Sequence, residues 1–114
     1  MIRIKRAYDK PDTDDGVRIL VDRLWPRGIK KEDLKLDYWL KEVAPSDELR
    51  KWFGHDTDKW SEFCWRYSSQ LDQNPDLLKP IREAAEQGTV TLIYSAKDEE
   101  HNNAIALQAY LAEN

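Results

Sequence analysis

Seven consecutive residues carry the densest chemical potential in this chain: Asp22-Arg23-Leu24-Trp25-Pro26-Arg27-Gly28. Pro26 locks one φ and Gly28 tolerates a positive one, so the segment is a fixed turn. Two guanidinium groups four residues apart on such a turn form a preorganised cationic edge. Guanidinium binds carboxylate or phosphate in a bidentate manner, and a fixed backbone lowers the entropy lost in doing so. Arg23 and Arg27 are therefore candidate anion ligands, and Trp25 a candidate platform for a flat ligand or an arginine. The competing reading is structural: Asp22 pairs with an arginine, and Trp25 plugs the core beneath the turn.

A second charged exit is Ser95-Ala96-Lys97-Asp98. Small residues there let a ligand approach the backbone, and a following helix offers free N–H groups and a positive dipole end. Lys97 adds charge or, if desolvated, serves as a base or nucleophile. Asp22 and Asp98 are the candidate acid/base groups, although Asp98 is equally placed to cap the last helix. Ser95 lacks the G-x-S-x-G context of a hydrolase elbow.

Asn102 and Asn103 come just after, and asparagine is a poor helix-interior residue. The pair implies side-chain hydrogen bonding, with Asn102 the candidate to orient a ligand. His55, between Gly54 and Asp56, is a candidate general base, against the commoner use of histidine as a partner of a helix C-terminus. His55, His101 and Cys64 lack zinc-like spacing, so neither a metal site nor a cofactor is expected.

These groups need elements to hold them. Both charged segments follow apolar, β-branched runs, which predict strands over 17–22 and 90–95. Ile2 and Ile4 alternate with Arg3 and Lys5, a third, half-exposed strand. Residues 31–53 read as short helical pieces, the last capped by Ser46 and ended by Gly54. Trp60, Phe63, Cys64, Tyr67 and Leu71 fall on one helical face, with Trp65 off it. Asn74-Pro75 marks a new start, and Pro80 either kinks the helix that follows or takes the first position of one beginning near Lys79, which Gly88 closes. Asp98 is expected to cap a final helix carrying Ala104, Leu107 and Leu111, widened by Ile105, Ala109 and Ala112. The order predicts one α/β domain over 1–114, a small three-layer sandwich with a short, mainly parallel sheet flanked by helices. In such sheets ligands bind beyond the carboxyl ends of the strands. If strands 17–22 and 90–95 are parallel neighbours, the charged exits converge there.

Composition narrows the function classes. The 114 residues are 40% hydrophobic and 35% charged, include five Trp, and carry a net charge of -4. Residues 1–31 nevertheless hold nine Lys/Arg against five Asp/Glu, so the N-terminal third is basic and the remainder acidic. A basic region marks either a site for an anion or a solvated strand edge. The acidic total and the lack of a binding motif argue against nucleic acid. One cysteine excludes an internal disulfide and fits a cytoplasmic location. No signal peptide or membrane span is expected.

Three stretches together resemble the YeaO-like family of small bacterial proteins, a domain of unknown function. They are the segment 18–28, then Glu48-Leu49-Arg50-Lys51-Trp52-Phe53-Gly54-His55, and the run from Val90 through Asp98 with His101-Asn102-Asn103-Ala104. The resemblance covers essentially the whole chain. It implies a small cytosolic α/β domain, places the 22–28 turn, Lys97 and Asn102 among shared motifs, and assigns no catalytic role. The leading expectation is a site for a small, phosphate-like anion at the ends of strands 17–22 and 90–95. The alternative is a non-catalytic module that binds a protein or nucleic acid through the basic N-terminal third.

Overall fold

The computed structural model describes residues 1–113. Its sheet is built where β-branched and apolar residues run together. The four strands are β1 (Ile2–Arg6), β2 (Val17–Leu20), β3 (Tyr38–Trp39) and β4 (Val90–Tyr94), in the order β1-β4-β2-β3. Every neighbouring pair is parallel, with Ile4 beside Leu92 and Ile19 beside Leu92 on its other flank. β4 is thus a central strand, and all five of its residues are buried. β3 corrects the sequence expectation of purely helical pieces over 31–53. Two residues cannot show an alternating pattern, and only pairing with β2 makes them a strand.

The helices are α1 (Lys31–Leu34), α2 (Asp47–Phe53), α3 (Trp60–Gln73), α4 (Lys79–Gln87) and α5 (Asn103–Glu113). Ser46 Oγ accepts the Leu49 N–H at 3.1 Å and so caps α2. Gly54 ends that helix in the left-handed region, its N–H returned to the Arg50 carbonyl. Phe63, Tyr67 and Leu71 form the buried face of α3, while Trp65 is 70% exposed. The Tyr67 hydroxyl donates to the Val43 carbonyl, which satisfies a fully enclosed polar group. Pro80 stands in the first turn of α4, where a missing N–H does no harm.

Alternation along the strands assigns the two faces. Ile19, Val21, Val90, Leu92 and Tyr94 point into a large core shared with α2, α3, α4 and α5. Leu20 and Ile93 point the other way, into a small cluster with Leu34, Trp25 and Trp39. The third layer is therefore thin, made of one-turn α1 and the loops beside it. Chain direction explains the inequality. The moves β1→β2 and β2→β3 run one way across the sheet, and the return β3→β4 runs the other. With a common crossover hand, opposite directions use opposite faces. The long return carries α2–α4, so it builds the thick layer.

α5 begins later than the sequence suggests. Asp98 accepts the N–H groups of Glu100 (2.9 Å) and His101 (3.0 Å) and caps a bend, not the helix. Asn102 is the actual cap, its Oδ1 accepting the Ile105 N–H at 2.9 Å. The buried face of α5 is Ala104, Ala106, Leu107 and Leu111, so Ala106 takes the place expected for Ala109 and Ala112.

Candidate functional site

Two neighbouring parallel strands leave the sheet for opposite faces. β2 exits toward α1 and the thin layer, whereas β4 exits toward α5 and the thick one. Such a divergence opens a crevice at the carboxyl ends of the strands. A cleft of about 840 Å³ lies at this point. Its lining includes Asp22, Arg23, Trp25 and Arg27 from the β2 exit, and Ser95, Lys97 and Asp98 from the β4 exit. The two charged segments do converge.

Asp22 is the keystone between the exits. Ser95 donates both its N–H (2.9 Å) and its Oγ–H (2.7 Å) to Asp22 Oδ2. Asn103 Nδ2 donates to Asp22 Oδ1 and to the Val21 carbonyl, each at 3.0 Å. One carboxyl group thereby joins the end of β2, the end of β4 and the start of α5. No arginine pairs with it. Burial raises the Asp22 carboxyl above its ordinary range, and the bonds from Ser95 and Asn103 only partly offset this. The group is held on all sides, which suits a clamp better than a mobile acid.

The cations differ from it and from one another. Arg23 reaches the Ala44 and Pro45 carbonyls at 3.3 and 3.5 Å, and its Nε is buried without a hydrogen bond. Its carboxylate neighbours, Asp47 and Glu42, stand 3.7 and 4.0 Å away and are themselves exposed. Exposed pairs of this kind contribute at most about 1 kcal/mol. The side chains of Arg27 and Lys97 are exposed, with no hydrogen bond or ion pair among the described residues. Tyr8 fixes the Arg27 backbone instead, its hydroxyl donating to the Arg27 carbonyl at 2.9 Å. Neither turn arginine is locked in a buried ion pair.

Other candidates take structural places. Trp25 donates its indole N–H to the Ile29 carbonyl at 2.7 Å and packs edge-on against Trp39, so it is largely part of the thin-layer core. Asn102, only 3% exposed, donates to the Asp98 carbonyl and caps α5. Its amide bonds at both ends serve the helix start, although Asn102 still lines the cleft; Asn103 is the residue that reaches across to Asp22. Asp98 Oδ2 lies 3.0 Å from His101 Nδ1. Bonds from the Glu100 N–H, and then from His101, outweigh residual desolvation and hold the Asp98 carboxyl below its ordinary range. His55 is exposed on the cleft wall in a left-handed conformation, φ 60°.

The opposite wall brings residues that motif reading passed over. Arg50 and Lys51, from the last turn of α2, line the cleft beside Phe53. They were legible as a charged helix end before Gly54, but only the packing of α2 against α3 brings them to the strand ends. With them, the lining holds five Lys/Arg side chains against two carboxylates. Both carboxylates are occupied by internal hydrogen bonds. A chain of net charge -4 thus keeps a cationic cleft. Among the described residues no His/Cys/Asp/Glu group is arranged to hold a metal, and no helix is long and apolar enough to cross a membrane.

Comparison with known proteins supplies the family. A family profile described as the inactive DUF488-N3 subclade matches residues 1–114. The chain is also 46% identical over 110 residues to the uncharacterized protein YeaO of Escherichia coli (strain K12), covering 96% of each. The chain belongs to this YeaO-like family. Uncharacterized proteins of Mycobacterium bovis (strain ATCC BAA-935 / AF2122/97) and Mycobacterium tuberculosis (strain ATCC 25618 / H37Rv) are each 37% identical to it over 110 residues, covering 96% of this chain and 92% of theirs. No solved structure matches. In this YeaO-like chain the fold is an all-parallel, four-stranded α/β sandwich with its cleft at the β2/β4 divergence.

Proposed function

We propose that this YeaO-like protein binds a small, phosphate-like anion in the cleft at the ends of β2 and β4, and that it binds without turning the ligand over. The observation that carries the reading is the pair Arg27 and Lys97. Both line the cleft, both are exposed, and neither has an internal partner among the described residues. Arg27 supplies the bidentate fork and Lys97 a point charge from the facing exit. Arg23, poorly satisfied where it stands, adds a third donor group. Binding rather than catalysis is favoured by two things. Asp22 is immobilised by three hydrogen bonds, and the family's subclade is described as inactive.

The alternative, a basic N-terminal surface for a macromolecule, fits less well. Arg3 bonds to the Asp14 carbonyl, Lys5 to Asp15, Arg6 to the Ala96 carbonyl, and Arg18 to Asp15 and α1. Most of the basic third is thus divided between internal bonds and the cleft, and only Lys10, Lys30 and Lys31 among its described basic residues stand exposed outside both.

A thermal-shift screen at fixed ionic strength tests the reading, with phosphate, sulfate and small carboxylates against wild type and Arg27→Ala. A ligand at 100 times its Kd stabilises by ~2.7 kcal/mol, or roughly 10 °C in a domain of this size. A phosphate shift in wild type that disappears in a folded Arg27→Ala supports the site. No shift with any anion rejects it.

A further inference from the structure

The cleft is larger than a phosphate ion requires, and its remaining wall is aromatic. Phe53 and Phe63 both line it, their centroids 4.5 Å apart. Trp60 lies nearly parallel to Phe63, at 5.5 Å and 19°. An imidazole stands at each end of this group. His55 lies 6.3 Å from Phe53, and His101 meets Trp60 edge-on at 5.3 Å. The phenyl rings are buried, so the imidazoles are the surfaces a ligand would touch.

His55 also takes a backbone conformation that few non-glycine residues adopt, histidine being among those that do so more often. It follows Gly54, which already holds a left-handed conformation, and repeats that conformation itself, φ 52° and then φ 60°. Of the two non-glycine residues described with a positive φ, Lys35 ends α1 away from the cleft, and His55 is the one on its wall. A second glycine would make the same turn without strain. The turn instead presents an imidazole on the cleft wall.

We propose that the anion is one end of a nucleotide-class ligand, whose flat heterocycle stacks on His55 while its phosphate meets Arg27 and Lys97. The proposal rests on the anion-binding reading above and adds the ring. Stacking on a ring of this kind is tolerant of base identity, so the site selects a phosphate joined to a planar base. His55 is then the residue that separates nucleotides from sugar phosphates.

Titration calorimetry of adenosine 5′-monophosphate against ribose 5-phosphate isolates the ring, because the sugar and the phosphate are common to both. Wild type should bind the nucleotide at least about fivefold more tightly. His55→Gly, which relieves the strained backbone, should melt no lower than wild type. It should keep its affinity for ribose 5-phosphate and lose the preference. Arg27→Ala should lose both ligands. Equal affinity of wild type for the two ligands overturns the proposal and leaves the anion site standing. A preference that survives His55→Gly removes His55 from it. Binding of neither ligand overturns the anion site as well.

Discussion

The two ends of β2 each hold an arginine beside an aspartate, and the two pairs behave in opposite ways. At the amino end, Arg18 donates to Asp15 and to the Leu34 carbonyl, while Lys5 donates to Asp15 from β1. Asp15 and Arg18 are 1% and 4% exposed, and the donor groups of Arg18 reach carboxylate or α1 carbonyls. Gly16 makes the close packing there feasible: a Cβ on it would stand 2.1 Å from the Thr89 carbonyl oxygen. At the carboxyl end, Asp22 is held by Ser95 and Asn103, and the arginines are left over. A buried charge has to be fully paired to be tolerated. An unpaired charge can persist only where solvent reaches it. The first cluster therefore holds the sheet to α1 and the 9–16 loop, and the second is available to a ligand.

The largest effect expected from this contrast is on stability. Arg18→Ala breaks a buried ion pair, leaving Asp15 to Lys5 and the Asp12 N–H, and leaves the Leu34 carbonyl unpaired, so it should cost about 3 kcal/mol in urea unfolding. Arg27→Ala should stay within about 0.5 kcal/mol, as exposed sites without partners do. Comparable losses in the two variants would erase the distinction between the ends.

The aspartates should next show pH dependences of opposite sign. Burial resists ionisation of Asp15, but bonds from Lys5, the Asp12 N–H and Arg18 outweigh it and hold its carboxyl below the ordinary 3.8. Its contribution is complete above 3.8 and is lost as pH falls through the lowered value. For Asp22 burial wins, and the carboxyl lies above 3.8. Its contribution is complete below 3.8 and is lost as pH rises through the raised value. The cost of Asp15→Asn should accordingly grow with pH across the acid range. The cost of Asp22→Asn, about 1 kcal/mol for an imperfectly replaced hydrogen-bond set, should shrink. Unfolding series at pH 3–6 (roughly one unit either side of the carboxylate range) would display the two slopes, and parallel slopes would contradict the assignment.

The smallest stability effect is the most informative about function. Lys97→Ala should leave the melting temperature unchanged within about 2 °C while weakening phosphate binding. A marked loss of stability would place Lys97 in the framework.

How far the sequence exposed all this depends on the kind of signal. The strand exits were legible because apolar β-branched runs stop abruptly at charge, and the element order pointed to a parallel sheet, but that β2 and β4 are neighbours is decided by the register alone. The α3 stripe and the Ser46 and Gly54 caps are local, and they stand where the pattern puts them. What stayed hidden is what only packing decides. β3 is too short to have a period. The start of α5 depends on which of two capping side chains, Asp98 or Asn102, begins the helix, and propensity does not rank them. Arg18 reads as an ordinary charged residue in Val17-Arg18-Ile19, although a charge within a central strand required a buried partner. In the candidate site, Arg23, Arg27 and Lys97 could be read from their turn chemistry. Arg50, Lys51 and Asn103 arrive from helices whose docking no local pattern encodes.

The account is tested most directly by amide chemical-shift mapping during titration with inorganic phosphate at constant ionic strength. It predicts saturable shifts confined to residues 22–28, 50–55 and 95–103, with the Lys5, Asp15 and Arg18 amides unmoved. Shifts spread over the N-terminal strand and the 9–16 loop, or none that saturate, would contradict it.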